Sequence, residues 1–256
     1  MYCSTISQSK ASIFKQCKLK YRYRYVDRID EEQSNADAMH FGSYIHKIFE
    51  DGIQATTYKE LEDLAKKHAP NYAFDDSYKA KTEGCLKNFL RLNASLNEVG
   101  DAELIYEVDA ADDITLNGII DRVIQGTDGG YLIIDYKTGK REKTKLDLFD
   151  DEQLQGYCYA LHKLKNIPIK DITVAHYYPI SDNLVSLQYS DAQISSYLRN
   201  KIEEVWKIRK CTKSDLGPSR NQFCNWCGYK YVCPIFNDST LVKKRLDEVK
   251  KKSSKK

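Results

Sequence analysis

The chain has 256 residues, of which 41% are hydrophobic and 30% charged, a composition typical of a globular protein with its own core. No apolar run approaches the ~20 residues of a membrane span, and the opening MYCSTISQSK lacks the apolar segment of a secretory signal, so we expect a cytoplasmic (intracellular) protein. Residues 243–256 carry a net charge of +6 within a total of +3, so the rest of the chain, at −3, has no general attraction to nucleic acid.

The first third of the sequence predicts helices. Apolar residues interrupt polar ones at helical spacing from about Ser9 to Tyr25, and again on one face of residues 41–54. Residues 58–97 indicate further helices with a break near Pro70. No internal repeat and no Pro/Gly-rich linker separates these segments, which favours one compact unit.

The middle of the chain changes to the two-residue period of strands, and the last third returns to helix. The segment TDGG is a strong hairpin signal between the second and third strands. These patterns predict an α/β fold with a central mixed sheet flanked by helices. In chain order we predict strands at 102–110, 114–124 and 131–137, a helix at 151–164, a hairpin formed by TVAHYYPI and LVSLQYS, and a helix at 191–210.

The stretch LIIDYKTGK (132–140) places a carboxylate and an ammonium two residues apart at the end of an apolar strand. Strand side chains alternate between faces, so Asp135 and Lys137 share one face. Asp121 of the preceding strand joins them only if the hairpin loop has an odd number of residues, as a three-residue DGG loop with a glycine bulge does.

Two carboxylates beside a lysine suit hydrolysis of a phosphodiester by a hard cation. Carboxylate oxygens hold Mg²⁺ or Mn²⁺, which acidifies a bound water, and an ammonium can orient or deprotonate that water or stabilise the developing oxyanion. The alternative is a surface ion pair at a strand end, and a D-x-K pattern on its own favours that alternative.

Two further pairs at i, i+4 spacing accompany this pattern. His46 and Glu50 project to one side of a predicted helix, and His46 borders its apolar stripe, where it is either a metal ligand or a satisfied core histidine. Gln153 and Tyr157 follow the D-Y-K strand and can contact a phosphate or fix the lysine. Alone, that second pair is an ordinary amphipathic helix.

Taken in order, GSYIHKIFE, NGIIDRVI, LIIDYKTGK and QLQGY resemble the RecB-like branch of the PD-(D/E)xK nuclease superfamily. The resemblance covers residues 4–236 and implies a restriction-endonuclease-like fold. It implies that His46, Asp121, Asp135 and the Tyr136 carbonyl bind the metal, and that Lys137 is the catalytic lysine. Gln153 and Tyr157 match the motif that follows it, and Glu107 is expected as an upstream acid.

Eight cysteines in an intracellular chain argue for metal or cluster binding rather than for disulfides. Cys224, Cys227 and Cys233 form a C-x₂-C-x₅-C pattern that needs a fourth ligand to complete a zinc site or a four-iron cluster. Cys17 is the candidate, with Cys3 and Cys211 as alternatives. The spacing does not decide between zinc and iron.

The cysteine pattern also resembles iron–sulfur members of the same family, among them AddB-type helicase–nuclease subunits and CRISPR-associated RecB-like nucleases. That resemblance implies a 4Fe-4S cluster, with zinc as the alternative, that joins the two ends of the domain. We therefore expect one nuclease domain over residues 1–240, with 1–30 and 211–236 forming the clasp. Residues 241–256 are expected to be a basic, disordered tail.

Together these patterns predict a Mg²⁺- or Mn²⁺-dependent deoxyribonuclease, an exonuclease on DNA ends or single strands, in recombination, repair or CRISPR-type processing. The expected partners are DNA and helicase, recombination or CRISPR-adaptation proteins, with no membrane. The rival hypothesis is a non-catalytic DNA-binding or scaffold subunit with a structural cluster or zinc. A third is a subunit that cuts only within a complex.

Overall fold

The structure is a computed structural model that describes residues 3–32, 37–96 and 98–253. In these residues the α-helices are, in chain order, α1 (Gln8–Gln16), α2 (Lys18–Tyr21), α3 (Asp37–Asp51), α4 (Tyr58–His68), α5 (Asp76–Ser95), α6 (Lys145–Phe149), α7 (Glu152–Lys165), α8 (Asp191–Lys210) and α9 (Ser239–Ser253). The strands are β1 (Thr5–Ile6), β2 (Asp101–Ala111), β3 (Ile114–Gln125), β4 (Tyr131–Tyr136), β5 (Ile172–Tyr178) and β6 (Asn183–Gln188). Within this described part of the chain, no helix combines the length and apolar character that crossing a bilayer requires.

The chain divides into two compact units. The central unit is Asp37–Lys201, and the terminal unit comprises the described residues of Met1–Ala36 and Ile202–Lys256. The division falls within α8, the long helix predicted over 191–210. The predicted extent of a single domain over residues 1–240 stays a prediction.

The central unit is built on a mixed sheet, as the sequence predicts. β3 pairs antiparallel with β2 and β4, β4 pairs parallel with β5, and β5 pairs antiparallel with β6. Helices α3, α4 and α5 share a core with apolar residues of β3, β4 and β5, and α7 packs against β2, β4 and β5. The fold is therefore mixed α/β with a central sheet flanked by helices.

The β3–β4 hairpin positions the acidic residues. Gln125 pairs with Tyr131, which leaves the five residues 126–130 as the connection. The Gly126 N–H donates to the Gly130 carbonyl at 2.8 Å, and Gly129 takes a φ of +85° that favours glycine. Because this connection has an odd number of residues, Asp121 and Asp135 lie on the same face of the hairpin.

The terminal unit has its own small core, which joins residues from both ends of the chain. Leu19, Tyr23 and Ile29 pack with Tyr229 and Val232. Two buried phenols secure the packing: the Tyr23 hydroxyl donates to the Val232 carbonyl at 3.1 Å, and the Tyr229 hydroxyl donates to the Ile29 carbonyl at 2.9 Å. These contacts hold together segments that are about 200 residues apart in the sequence.

The basic tail differs from its prediction, because Ser239–Ser253 form α9 where disorder was expected from residue 241. Leu246 and Val249 lie one turn apart and pack against the small core of the terminal unit. Arg245 donates to Asn237 Oδ1 at 2.9 Å. The prediction of disorder was based on the many lysines of this segment, and it did not take the apolar pair into account. Residues 254–256 of the predicted tail lie outside the described residues.

Candidate active site and cysteine-lined cavity

Three carboxylates lie in line across neighbouring strands of the central sheet. The β3–β4 register places Asp121 opposite Asp135, and the β2–β3 register places Asp121 opposite Glu103. An oxygen from each of Glu103 and Asp121 and a ring nitrogen of His46 lie within 4.8 Å of one another. Like charges directly opposite each other destabilise a sheet, so this arrangement calls for a cation.

Glu103 is a site residue that the sequence analysis missed. The assignment of Glu107 as the upstream acid is wrong for this structure. Glu107 lies opposite Asn117 and is exposed. Glu103 has a φ of +51°, which interrupts regular pairing beside Asp121. Burial raises the pKa of Glu103, and the nearby Asp121 carboxylate raises it further.

His46 of α3 reaches the same point from the helical layer. Its Nε2 lies 2.9 Å from the Tyr136 carbonyl oxygen, and its Nδ1 lies 3.5 Å from Asp121 Oδ2. Asp121 Oδ2 also accepts a hydrogen bond of 2.8 Å from the Tyr136 N–H. Burial alone would lower the pKa of His46, but the Asp121 and Asp135 carboxylates outweigh it and raise that pKa.

A glycine one turn before His46 explains the G-x-x-x-H pattern. A Cβ at Gly42 would lie 3.0 Å from the Thr138 hydroxyl, which is tighter than most side-chain contacts. Glycine therefore lets α3 approach the segment that follows β4, where Lys137 and Thr138 lie. The close approach brings the imidazole to the Tyr136 carbonyl.

Lys137 contacts two side chains directly, and a third side chain holds one of those two. Its Nζ lies 2.5 Å from Asp135 Oδ2 and donates to Gln153 Oε1 at 3.0 Å. Gln153 Nε2 in turn donates to the Tyr157 hydroxyl at 2.7 Å. Burial lowers the pKa of Lys137, but the Asp135 carboxylate raises it by more, so the ammonium is protonated at neutral pH.

Asp135 is almost fully buried, with 1% of its surface exposed. Burial raises its pKa to about 6, although the Lys137 ammonium acts in the opposite direction. The Lys137 ammonium lies 2.5 Å from Oδ2 and partly offsets the charge of this buried carboxylate. Carboxylate oxygens are the ligands that Mg²⁺ prefers, so Asp135 is a candidate metal ligand.

His176 is a second residue that the sequence analysis missed. It is fully buried on β5 directly beside Asp135, and its Nε2 lies 3.6 Å from both Asp135 Oδ2 and Asp151 Oδ2. Burial and the nearby Lys137 lower its pKa to about 4, so the imidazole is neutral at pH 7. Asp151 also forms an ion pair with Lys143.

The terminal unit contains a cavity of about 170 Å³ lined by the four cysteines of the predicted cluster site. Cys17 lies in extended backbone between α1 and α2, so it interrupts the helix predicted from Ser9 to Tyr25. Cys224 lies in the 3₁₀ turn Gln222–Trp226, Cys227 directly follows that turn, and Cys233 directly follows the 3₁₀ turn Lys230–Val232. All eight cysteines of the chain lie in the described residues and are free thiols.

The two alternative fourth ligands do not line this cavity. Cys3 is buried, with its thiol directed to the Thr5 carbonyl at 3.7 Å. The Cys211 thiol donates to the Lys207 carbonyl at 3.3 Å. The structure thus brings Cys17, rather than Cys3 or Cys211, to the C-x₂-C-x₅-C segment.

The family model for the PD-(D/E)XK nuclease superfamily matches residues 5–234. The chain belongs to the PD-(D/E)XK nuclease superfamily. The match includes all of the site residues described above and all four cavity cysteines.

Two relatives of this PD-(D/E)XK protein are much longer proteins. One is a subunit of an ATP-dependent helicase/deoxyribonuclease from Streptococcus pyogenes serotype M1, which is 23% identical over 220 residues that cover 79% of this chain and 20% of that protein. The corresponding protein from Streptococcus uberis is 25% identical over 187 residues, covering 64% of this chain and 17% of that protein. The chain therefore spans about a fifth of the length of these relatives.

A solved structure shares the fold of this PD-(D/E)XK protein. It is the crystal structure of a "Putative exonuclease" from Eubacterium rectale, with a TM-score of 0.55 and 14% sequence identity. The likeness covers 88% of this chain and 87% of that one. At this identity it supports the fold alone.

PD-(D/E)XK nucleases use divalent metals, and the residues at this site fit such an ion. Carboxylate oxygens, a backbone carbonyl and an imidazole form the mixed oxygen-rich donor set that suits Mg²⁺ or Mn²⁺. The opposed Glu103 and Asp121 carboxylates beside His46 call for a cation. The ligand set expected from the sequence stays a prediction, to which the structure adds Glu103 as a candidate.

Metal affinity should depend on pH because the ligands must lose their protons. The pKa of Asp135 is raised to about 6 by burial, and that of His46 is also raised, so protons compete with the metal in acid. We expect Mn²⁺ affinity, measured by calorimetry, to fall in acid by up to about tenfold per pH unit for each of these two ligands. A His46→Asn variant should retain the carboxyl part of this dependence. An affinity that does not change between pH 5 and 7 would contradict the prediction.

Proposed function

We propose that this chain is a Mg²⁺- or Mn²⁺-dependent deoxyribonuclease that acts as an exonuclease on DNA ends or single strands. The observation that carries the proposal is the convergence of Glu103, Asp121 and Asp135 with an imidazole and a half-buried ammonium. Membership of the PD-(D/E)XK nuclease superfamily and the helicase/deoxyribonuclease relatives support it.

His46, Asp121, Asp135 and the Tyr136 carbonyl would hold the metal, with Glu103 beside them. When bound, the ion would acidify a water molecule and offset negative charge on the scissile phosphate. The 2.9 Å between His46 Nε2 and the Tyr136 oxygen is close to the ~3.0 Å that separates neighbouring ligands of an octahedral ion at ~2.1 Å. This spacing supports a shared ion.

Lys137 would act as a positively charged hydrogen-bond donor rather than as a general base. The Asp135 carboxylate raises the pKa of this lysine, so its ammonium remains protonated at neutral pH. A protonated ammonium orients the attacking water through its lone pair and stabilises the phosphate oxygen that gains negative charge. Of the roles open from the sequence, deprotonation of the water is therefore the least favoured.

Gln153 and Tyr157 would position the lysine. The amide oxygen of Gln153 accepts from the ammonium, and the Tyr157 hydroxyl fixes the other end of the amide. Both side chains lie on α7 one turn apart, and Tyr157 is buried. This arrangement limits the rotamers of a long, flexible side chain before substrate binds.

We also propose that the cysteine-lined cavity holds a 4Fe-4S cluster. A single tetrahedral zinc ion binds each sulfur at ~2.3 Å, which places sulfurs ~3.8 Å apart. Among the described residues no three of these sulfurs lie within 4.8 Å of one another, which favours a larger group than one ion. Anaerobic purification followed by iron, sulfide and zinc analysis tests this: four irons per chain is expected, and stoichiometric zinc would contradict it.

Asp121→Asn should abolish the nuclease activity, because it removes charge from the residue that contacts both His46 and the Tyr136 N–H. We expect at least a ~100-fold slower degradation of linear DNA with Mn²⁺. The matched control is Asp112→Asn, the same change at an exposed turn position, which should leave the rate unchanged. Equal rates in the two variants would contradict the proposed site.

The rival proposal is a non-catalytic DNA-binding or scaffold subunit. It differs from the nuclease proposal in the result of a degradation assay. It predicts no degradation of DNA with Mg²⁺ or Mn²⁺, and therefore no effect of EDTA. The intact set of carboxylates, lysine and imidazole at one point favours catalysis.

Partner proteins are also proposed. The relatives are subunits of helicase/deoxyribonuclease assemblies, and this chain covers about a fifth of their length. From the first of these facts we propose that it works with helicase, recombination or CRISPR-adaptation proteins in DNA recombination, repair or CRISPR-type processing.

A further inference from the structure

A basic loop directly follows the strand that carries Asp135 and Lys137. The connection from β4 to α7, residues 138–151, has no net charge, but its segment 140–145, which we call the basic loop, has four cations and one acid. Lys140, Arg141 and Lys145 are exposed along it. Its basic character contrasts with the net charge of −3 that the chain carries outside residues 243–256.

The basic loop is fastened next to the carboxylates. The Lys143 N–H donates to the Tyr178 hydroxyl at 2.7 Å, and the Lys143 ammonium pairs with Asp151. Asp151 also caps α7 by accepting from the Gln153 N–H at 2.9 Å. His176 lies between Asp151 and Asp135, 3.6 Å from an oxygen of each. The base of the loop is therefore one side chain away from a proposed metal ligand.

Two acids in and after the basic loop, Glu142 and Asp147, accept local hydrogen bonds, whereas Asp150 next to Phe149 is exposed. Glu142 accepts from Asn183 Nδ2 at 2.7 Å and from Ser181, and Asp147 accepts from the Thr144 N–H at 2.8 Å in a capping box. Within the described part of the chain, Lys140, Arg141 and Lys145 form no salt bridge, and the fourth exposed cation of the loop, Lys143, pairs with Asp151. The charge of the first three is available to an anion outside the protein.

Exposed apolar side chains accompany these cations. Leu146 is 79% exposed and Phe149 is 43% exposed, whereas Leu148 between them is buried and anchors α6. A flat aromatic ring beside unpaired cations is the combination that stacks a nucleobase while the cations contact its phosphates.

The other side of the carboxylates has the opposite charge. Glu107 and Asp109 are exposed on β2, beyond Glu103. A nucleic-acid backbone is repelled there and attracted on the side of the basic loop. The charge distribution thus favours a DNA strand that reaches the carboxylates from the side of the basic loop rather than from the side of β2.

We infer that the basic loop binds single-stranded DNA, with Lys140, Arg141 and Lys145 on its phosphates and Phe149 stacked on a base. The inference rests on the proposed function, because it names the surface that guides the substrate strand to the nuclease site. Single strands are favoured over duplex because a base must be unpaired to stack on Phe149.

The test is the salt dependence of binding to a fluorescein-labelled oligothymidylate of roughly 20 nucleotides, measured by anisotropy in EDTA. The triple variant Lys140→Ala, Arg141→Ala, Lys145→Ala should bind about 10-fold or more weakly at low salt. The slope of log K against log salt should be smaller by about 2, since each phosphate contact on a single strand contributes ~0.7.

The matched control removes three other exposed lysines, with the same change in net charge: Lys163→Ala, Lys165→Ala, Lys170→Ala. It should retain the parent slope. Phe149→Ala should weaken binding by about 10-fold, and Phe149→Trp should restore it, because tryptophan keeps the stacking face. If the loop triple and the control triple change the slope equally, or if Phe149→Ala binds like the parent, the inference is overturned.

A small substrate separates this inference from the proposed nuclease function. Hydrolysis of bis(p-nitrophenyl) phosphate with Mn²⁺ needs the carboxylates and lysine, but the substrate is too short to span the basic loop. We expect the loop triple to keep this activity while it loses oligonucleotide binding. Absence of this activity in the parent would count against the proposed function alone, and the binding comparison would still decide the role of the loop.

Discussion

Lys137→Ala is expected to lower kcat for DNA cleavage by about 10²- to 10⁴-fold. The substitution removes the one ammonium that lies 2.5 Å from Asp135 and is held by Gln153. Without this ammonium, the phosphate oxygen that gains negative charge during cleavage is no longer stabilised by a cationic side chain beside Asp135. The measurement is single-turnover degradation of a labelled single strand with Mn²⁺, which isolates the chemical step from product release.

The same variant should remain folded and able to bind metal. Lys137 lowers the pKa of Asp135, so its removal raises that pKa further and weakens Mn²⁺ binding only in acid. Lys163→Ala on the exposed surface of α7 is the matched control and should cleave at the parent rate. Full Mn²⁺-dependent cleavage by Lys137→Ala would show that the lysine is a structural ion-pair partner and nothing more.

The part of the site that follows local rules was predictable from the sequence. Strand alternation places Asp135 and Lys137 on one face, and the odd connection of the β3–β4 hairpin adds Asp121. Helical spacing likewise pairs Gln153 with Tyr157, which the structure joins by a hydrogen bond. Each of these relations spans few residues or one tight turn.

Relations between distant strands were not predictable. Glu103 and Glu107 both lie on one face of β2, and only the register against β3 decides that Glu103 meets Asp121. His176 lies beside Asp135 through a parallel pairing whose register depends on the whole crossover through α7. A sequence pattern carries no local signal for either register.

Arg122 shows that a motif can combine structural and catalytic residues. It follows Asp121 in the G-x-x-D-R pattern, but its guanidinium is fully buried. It donates to the Val99 carbonyl at 2.9 Å and to Asn93 Oδ1 at 2.6 Å. Because strand neighbours point to opposite faces, Arg122 fixes β3 against the helical layer while Asp121 faces the site.

Cys17→Ser is expected to destabilise the terminal unit by roughly 5 kcal/mol, on the scale of a covalent crosslink across the ~200 residues between Cys17 and Cys224. A cluster in the cysteine-lined cavity would join both ends of the chain, so the loss of one ligand frees the unfolded chain and lowers the free energy of unfolding. Burial raises the pKa of Cys227 and Cys233, so without a metal these thiols lose the charge that ligation requires.

Tryptophan fluorescence isolates this effect. The chain has two tryptophans, Trp206 and Trp226, and both lie in the terminal unit, so their emission during denaturation reports that unit alone. Circular dichroism and tyrosine emission, to which Tyr23 and Tyr229 of this unit also contribute, follow the whole chain. We expect Cys17→Ser to move the tryptophan transition to lower denaturant and to release the metal, with a smaller change in circular dichroism.

Cys211→Ser is the matched control, because it makes the same change in the same unit at a thiol that does not line the cavity. It should keep the metal. The free energy of unfolding obtained from the tryptophan transition should change by no more than about 1 kcal/mol. A packing defect and a lost ligand differ here, since the stability of a variant that still binds the metal depends on the metal content of the preparation, whereas that of a variant that has lost the metal does not. If Cys17→Ser retains full metal content, Cys17 is not the fourth ligand, and the two ends of the chain are held by the small apolar core of the terminal unit alone.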